Sequence, residues 1–419
     1  MSTSEYDSYR PPELDRGRKK RRRGGRGPGG SGRGAGGRGG AGGGGQGWKN
    51  RGAEGNREMP MVEDVEFSSY YGRPIVKAPP WGDEIAIYLF LGGLAGGSSL
   101  LGLGAQFSDR PGLRIATRLT AITATAAGGA ALVSDLGRPE RFLNMMRVFK
   151  VSSPMSLGTW ILSGFGVGSG VLTAIEVDRL TGQRLPLGPL RRVLHAMETP
   201  AALESALFAT PLAAYTGALL GDTAVPTWNA AGRSGLSFVF VSSAAVAAGG
   251  AAMALAPVGE TGPARLLALA GSAGDVIGMD QMKKGMHPAE VDPLEDGEPG
   301  RKLHRAEKLL IAGAVGTAAV EVGARVFAKK VAQGAGAGGV GTGGAGSSSR
   351  NWKTRAALRA LSVVSGAALA AASAYTRFGV LEAGIESTKD PRHVVEPQRA
   401  RLEDRRARGI VDDSITTGT

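Results

Sequence analysis

The 419-residue sequence contains no cysteine. Disulfide bonds, thiolate zinc sites, cysteine-ligated iron–sulfur clusters and cysteine nucleophiles are therefore excluded within this protein. Histidine is scarce as well, and none of the four lies in the middle of an apolar run: His195, His287, His304 and His393. Because haem in a membrane bundle needs imidazole ligands inside the helices, we expect no haem in this protein.

Acidic residues are missing between Arg16 and Arg51, a Gly-rich stretch whose 12 Lys/Arg residues account for 12 of the formal net charge of +13. Aliphatic residues are rare there too, so residues 1–60 cannot bury enough apolar surface to offset the entropy of ordering. The sequence predicts a disordered basic tail. Its Arg/Gly alternation resembles tails that bind single-stranded nucleic acid, but beside a membrane contact with anionic lipid headgroups is the expected role, and nucleic acid is an unlikely partner.

Charged residues are missing from long segments after Ile85. A hydrocarbon core about 30 Å thick needs about 20 apolar residues of helix. Three segments meet that length outright, namely 85–107, 151–175 and 234–259. Three more segments reach that length if a polar residue at one end snorkels to the interface, namely 113–134, 199–221 and 357–378. Two further segments are weaker candidates, 262–279 and 305–327. We predict an all-α integral membrane protein with about eight transmembrane helices.

Small residues are frequent in the predicted spans, for example GGLAGGSS at 92–99. In lipid, where leucine gains nothing by leaving hydrocarbon, such residues favour close helix packing. Polar segments interrupt the spans, and we expect residues 284–302 to be exposed and residues 330–350 to be a flexible linker. Residues 379–419 are expected to form a polar C-terminal tail.

Glu84 and Tyr88 are spaced i, i+4, which puts them on one face at the start of the first predicted span. Tyr88 can donate a hydrogen bond to a quinone carbonyl while Glu84 takes up a quinol proton. Anchoring at the membrane interface explains Trp81 and Tyr88 nearly as well.

Carboxylates recur at two further span ends. Glu204 and Tyr215 are eleven residues apart, so they lie within about 20° on one face of a helix. We expect Glu204 to be either a mouth residue in contact with water or a proton relay. Asp135 and Arg138 lie in the run DLGRPERF at the end of the second span, which forms either a solvated helix end or a proton-conducting ion-pair network beside a quinone.

Four segments together resemble one protein family. They are WGDEIAIYLFLGGLAGGSSLLG, LVSDLGRPERFLNMMRVFKVSSPMSLGTWIL, TPLAAYTGALLGDTAVPTWN and RFGVLEAGIESTKDPRHVVEPQR. With these segments the sequence is similar, from about Trp81 to Arg399, to the NrfD/PsrC family of polysulfide-reductase-like membrane subunits. The run DLGRPERF followed by SPMSLGTW is the most specific part.

The resemblance implies eight transmembrane helices in two four-helix bundles, over residues 81–222 and 234–378. It also implies a quinone-reactive anchor of a molybdopterin oxidoreductase of the kind used in anaerobic respiration. Such a subunit is not catalytic alone, and a four-cluster ferredoxin-like iron–sulfur subunit links it to a molybdopterin catalytic subunit. The bound substrate would be menaquinone or ubiquinone.

By family similarity the quinone pocket lies in the first bundle, with Glu84, Tyr88 and Tyr215 as quinone-binding residues. Proton transfer would fall to Glu204, or to Asp135 and Arg138. In the family, the quinone ligands include a histidine in the first span. This sequence has Tyr88 there instead, so its quinone ligands are expected to differ from those of the family.

Two expectations concern the whole protein. A secondary transporter or channel-like membrane protein is the alternative function. The signature of a transporter would be an inverted repeat or broken helices with facing polar groups at mid-membrane. The basic tail predicts that both termini lie on the cytoplasmic side of the inner membrane, since the short loops carry arginine on both sides.

Overall fold

The computed structural model describes residues 74–136, 139–336 and 345–410. Within these ranges the secondary structure consists of α-helices and one 3₁₀ helix, so the predicted all-α class is confirmed. The predicted disordered tail of residues 1–60 lies outside the described residues.

The first half of the protein forms five α-helices and the 3₁₀ helix. Their bounds are α1 Asp83–Phe107, α2 Pro111–Asp135, the 3₁₀ helix Pro139–Arg147, α3 Pro154–Leu180, α4 Leu190–Ala196 and α5 Glu198–Gly221. Proline at the first turn of α2 and α3 fits these starts, because that position needs no backbone N–H donor.

The second half forms seven more helices. Their bounds are α6 Pro226–Arg233, α7 Leu236–Leu255, α8 Gly262–Lys284, α9 Pro288–Glu295, α10 Gly297–Gly336, α11 Ala345–Ser387 and α12 Arg392–Ala407. Each of the eight apolar segments singled out in the sequence therefore lies in a helix.

Six of these helices are long and apolar enough to cross a membrane, and the protein is an integral membrane protein. They are α1, α3, α5, α7, α10 and α11. The other two long helices are more polar, because α2 carries Arg114 and Arg118 and α8 carries Arg265 and Asp275. Eight spans therefore remain a prediction.

Helix α1 lies between two groups of helices. It packs with α2 and α5, and α3 packs on α5; these four are called the first bundle. On another face α1 contacts α7 and α11, which pack with α8 and α10 as the second bundle. A Cβ at Gly97 of α1 would lie 2.6 Å from Ala248 Cβ of α7, so glycine is required at this crossing.

Helices α1 and α5 are antiparallel, which defines the two ends of the first bundle. Ser99 Oγ of α1 lies 2.8 Å from Ser205 Oγ of α5, and Gln106 Nε2 donates to Thr199 Oγ1 at 3.2 Å. The start of α1 is therefore level with the end of α5. We call this level the Asp83 end and the opposite level the Phe107 end.

Three sequence expectations about polar segments differ from the structure. Residues 288–295, expected to be exposed, form α9, because Pro288 opens the helix after His287 and its apolar side packs inward, with Leu294 1% exposed. Helices α10 and α11 reach into the expected linker, leaving residues 337–344 undescribed. The expected end of the second bundle at residue 378 lies inside α11, which continues to Ser387. Beyond residue 378 this helix is still in contact with α6, because the Trp228 indole donates to the Val380 carbonyl at 2.8 Å.

Candidate functional site

Two tyrosines meet near the Asp83 end of the first bundle. Tyr88 of α1 is 4% exposed, and its hydroxyl contacts the hydroxyl of Tyr215 of α5. Their rings lie against glycines of the two neighbouring helices. A Cβ at Gly128 of α2 would lie 3.5 Å from the Tyr88 ring, and a Cβ at Gly158 of α3 would overlap the Tyr215 ring. Four helices thus converge on one pair of phenols.

Glu84 and Asp135 lie at the same end as the tyrosines. Glu84 is in the first turn of α1, one helical turn or about 6 Å from Tyr88. Asp135 is the last residue of α2, which runs antiparallel to α1 with Gly102 beside Thr117 and Gly128 beside Tyr88. Each of these two carboxylates has an interaction partner. Arg138 lies outside the described residues.

Glu204 lies elsewhere in the bundle. It points at α3, where a Cβ at Gly168 would meet its carboxylate, and Tyr215 also points at α3, as their spacing predicts. The two are eleven residues apart, however, which is about 16 Å along α5. Because α1 and α5 are antiparallel, the start of the first span and the start of the fourth span are at opposite ends. The four residues Glu84, Tyr88, Glu204 and Tyr215 therefore do not converge on one mouth.

One carboxylate oxygen of Glu204 lacks a hydrogen-bond partner in the described part of the protein. This oxygen, Oε2, is buried. A buried oxygen of this kind costs free energy unless it is protonated or hydrated. This observation fits a group that exchanges a proton, and the role remains a prediction.

A buried ion-pair network occupies the Phe107 end of the first bundle. Arg118 of α2 donates to Glu176 of α3 at 2.5 Å and to Glu198 of α5 at 2.9 Å. Arg114 donates to Glu176 at 2.8 Å. Arg179 donates through Nη1 and Nη2 to the two carboxylate oxygens of Glu198, at 2.7 and 2.5 Å. The Glu176 side chain is fully buried. Three guanidinium groups thus compensate two carboxylates and tie three helices together.

Sequence reasoning missed this network. None of Arg114, Arg118, Glu176 and Glu198 is among the residues that the sequence singled out. The available signal was the charge itself, since Arg114 and Arg118 are spaced i, i+4 within a span and Glu176 directly follows an uncharged run. Their partners on other helices had no signal in the sequence.

Comparison with known proteins gives a match for the part of the sequence that contains these residues. Residues 75–261 match the family described as polysulphide reductase, NrfD. The resemblance to the NrfD family is confirmed for this segment. A 150-residue stretch is 31% identical to the C subunit of polysulfide reductase from Wolinella succinogenes, covering 33% of this protein and 47% of that relative. The alignment thus spans about half of the length of that relative.

The NrfD segment runs from just before α1 to just after α7. It contains the tyrosine pair, Glu204 and the whole Arg118 network, whereas α8 to α12 lie beyond it. A small cavity inside the segment is flanked by Arg118 and by Ser205, the neighbour of Glu204. Its lining residues are Ser99, Gly102, Arg118, Ala121, Ser169, Leu172 and Ser205. Polar groups therefore extend from the ion-pair network to the level of Glu204.

The packing of Tyr215 on Gly158 gives a testable prediction. Gly158→Ala places a methyl group inside the Tyr215 ring, and overpacking of this kind costs about 1–3 kcal/mol. We expect a lower thermal unfolding midpoint in detergent. Gly166→Ala on the same helix meets nothing within 4 Å and is the matched control.

Tyr215→Ala provides the second control, because removing the ring should abolish most of the cost of Gly158→Ala. Equal midpoints for Gly158→Ala and Gly166→Ala in the parent protein would contradict the packing described.

Proposed function

We propose that this protein is the quinone-reactive membrane subunit of an oxidoreductase complex in the cell inner membrane. It would pass electrons between membrane menaquinone or ubiquinone and an iron–sulfur partner subunit, which serves a molybdopterin catalytic subunit. The observation that carries the proposal is the buried Tyr88–Tyr215 hydroxyl pair inside the NrfD segment. The match to that family favours this function over secondary transport.

The tyrosine pair fits a quinone carbonyl on chemical grounds. The two hydroxyls contact each other, and a carbonyl oxygen can take the acceptor position that one phenol holds in this pair. The rings of Tyr88 and Tyr215 come from helices that cross closely, so their positions are fixed by backbone packing. Glu84, about 6 Å along α1, is a suitable group to exchange the quinol proton.

In this proposal, Glu204 is a proton relay at a distance from the quinone ring. Quinol oxidation releases two protons with two electrons, and these protons must leave a bundle surrounded by lipid. Glu204 faces the same neighbouring helix as Tyr215 and has an unpartnered buried oxygen. Asp135, the last residue of α2, and Arg138, three residues later in the sequence, are the alternative relay.

The proposal as a whole is tested by quinone-dependent turnover of the purified complex. Turnover should require added menaquinone or ubiquinone. A complex that converts its substrate at full rate without quinone would refute the assignment.

Tyr88→Phe tests the hydrogen bond to the quinone. Removing one hydroxyl should weaken quinone affinity by about 1 kcal/mol, or about fivefold in Kd, the usual net value of one hydrogen bond. Binding is measured by titrating quinone into the purified complex. Tyr375→Phe on α11 is the matched control and should bind as the parent does. Unchanged affinity in Tyr88→Phe and in Tyr215→Phe would remove both hydroxyls from the site.

Glu204→Gln tests the relay. The amide keeps the size and hydrogen bonding of the side chain but removes its titratable proton, so turnover should fall by about tenfold or more. Glu386→Gln, at an exposed ion pair with Lys389, is the control and should retain full turnover. If Glu204→Gln keeps full turnover across pH while Asp135→Asn abolishes it in folded protein, the relay lies at the end of α2.

We also propose that both termini lie in the cytoplasm. The start of α1 and the helix α12 are at the same end of the protein, because Trp81 stacks on Trp228 of α6, α6 bonds α9 through Thr227, and Arg392 of α12 pairs with Asp292 of α9. A basic tail attached to this end is attracted to the anionic cytoplasmic leaflet.

The orientation is measured with a reporter that is active only outside the inner membrane. The reporter should be inactive when fused after Thr419 and active when inserted at Ser108, between α1 and α2. The reverse pattern would invert the proposed topology.

A further inference from the structure

The second bundle contains a buried arginine that none of the proposed steps uses. Arg377 of α11 is fully buried. Its Nη2 donates to the Phe240 carbonyl of α7 at 2.6 Å, and its guanidinium carbon lies 3.7 Å from the centre of the Phe240 ring. Its Nε and Nη1 atoms have no hydrogen-bond partner among the described residues. Two of the three guanidinium nitrogens are thus buried with unused donors.

A buried aspartate of α8 faces the same interior. Asp275 is 7% exposed, and its Oδ1 atom likewise has no hydrogen-bond partner in the described part of the protein. Gly274 and Gly278, its neighbours on the same side of α8, pack against Ser242 and Phe238 of α7. Phe240 lies between those two α7 residues and holds Arg377, yet Arg377 and Asp275 form no direct ion pair among the described contacts. The two opposite charges therefore compensate each other across a gap.

The neighbours of this pair that the structure describes on α7 and α1 are uncharged. From α7 the nearby side chains are Phe240, Ser242 and Ser243, and from α1 the neighbour is Gly93. A Cβ at Gly93 would lie 3.2 Å from Arg377 Nη2. Among the described residues, Arg377 is the charged group that acts on Asp275, and Asp275 is the one that acts on Arg377.

Burying unpaired donors and acceptors at membrane depth is costly. A water molecule removes that cost, because it accepts from Arg377 Nη1 or Nε and donates to Asp275 Oδ1. The groups on both sides are polar, as an internal water requires. A direct ion pair with Asp275 would require Arg377 to move away from the Phe240 carbonyl and ring that it contacts.

We propose that internal water bridges Arg377 and Asp275, and that the bridged pair is a protonatable site within the second bundle. On proton uptake the carboxylate becomes a neutral carboxylic acid, while Arg377 keeps its charge, so the net charge of the pair changes from zero to +1. The proton comes from bulk water through the bridging water. The site is separate from the tyrosine pair, since α1 lies between them with Tyr88 on one face and Gly93 on another.

Infrared difference spectroscopy of the purified complex, titrated with pH without added quinone, tests this site independently of the quinone proposal. The parent should show a protonated-carboxyl band that grows as pH falls, together with a water band that shifts in ¹⁸O-labelled water. The part of the carboxyl band that belongs to Asp275, measured as the difference between parent and variant spectra, should be absent from Asp275→Asn, and so should the water band. They should persist in Asp280→Asn, an exposed aspartate on the same helix, and in Glu204→Gln.

Arg377→Gln should move the titration of the carboxyl band to higher pH, because the positive charge no longer favours the carboxylate. If that variant fails to fold, the adjacent glycines of α1 provide a second comparison. Gly93→Ala crowds Arg377 and should shift the band, whereas Gly92→Ala meets nothing within 4 Å and should leave it unchanged. Carboxyl and water bands that titrate identically in the parent and in Asp275→Asn would overturn the proposal.

Discussion

Close approach of helix backbones at glycine is the constraint on which the rest of the structure depends. A Cβ at Gly96 of α1 would lie 2.5 Å from the Ala209 carbonyl oxygen of α5, and a Cβ at Gly250 of α7 would lie 2.5 Å from the Gly366 carbonyl oxygen of α11. Lipid tails offer no hydrophobic reward for helix association, so van der Waals contact between backbones must supply it. The same approach brings the Tyr88 and Tyr215 hydroxyls, on adjacent helices, into contact.

Two groups of buried charges, one in each bundle, are arranged differently. In the first bundle Arg118 and Glu176 are in direct contact, and each joins a larger network of opposite charges. In the second bundle Arg377 and Asp275 face each other without an ion pair. The direct pairs tie three helices together, although Arg118 Nε and Glu176 Oε2 have no hydrogen-bond partner among the described residues. The separated charges of Arg377 and Asp275 need a water molecule to connect them. The first arrangement is suited to structure, and the second to exchange of a proton.

The sequence predicts the helices of this protein better than it predicts their contacts. The eight apolar segments were visible as local patterns, because the length of a span depends on the thickness of the bilayer. The shared face of Glu204 and Tyr215 also followed from helical geometry alone. The distance between Glu204 and the start of α1 was hidden, because the antiparallel register of α1 and α5 is decided by which glycines and alanines meet. Helix α9 was missed because its polar, proline-containing sequence is typical of an exposed loop, and its burial comes from neighbouring helices.

The central claim is that a quinone carbonyl accepts a hydrogen bond from the Tyr88–Tyr215 pair. The most direct measurement is photo-crosslinking of an azidoquinone to the purified complex, followed by mass spectrometry of the labelled peptides. The account predicts labels on α1 near Tyr88 and on α5 near Tyr215, both suppressed by excess unmodified quinone. Labels confined to the second bundle, or labels on α1 and α5 that excess quinone does not suppress, would contradict it.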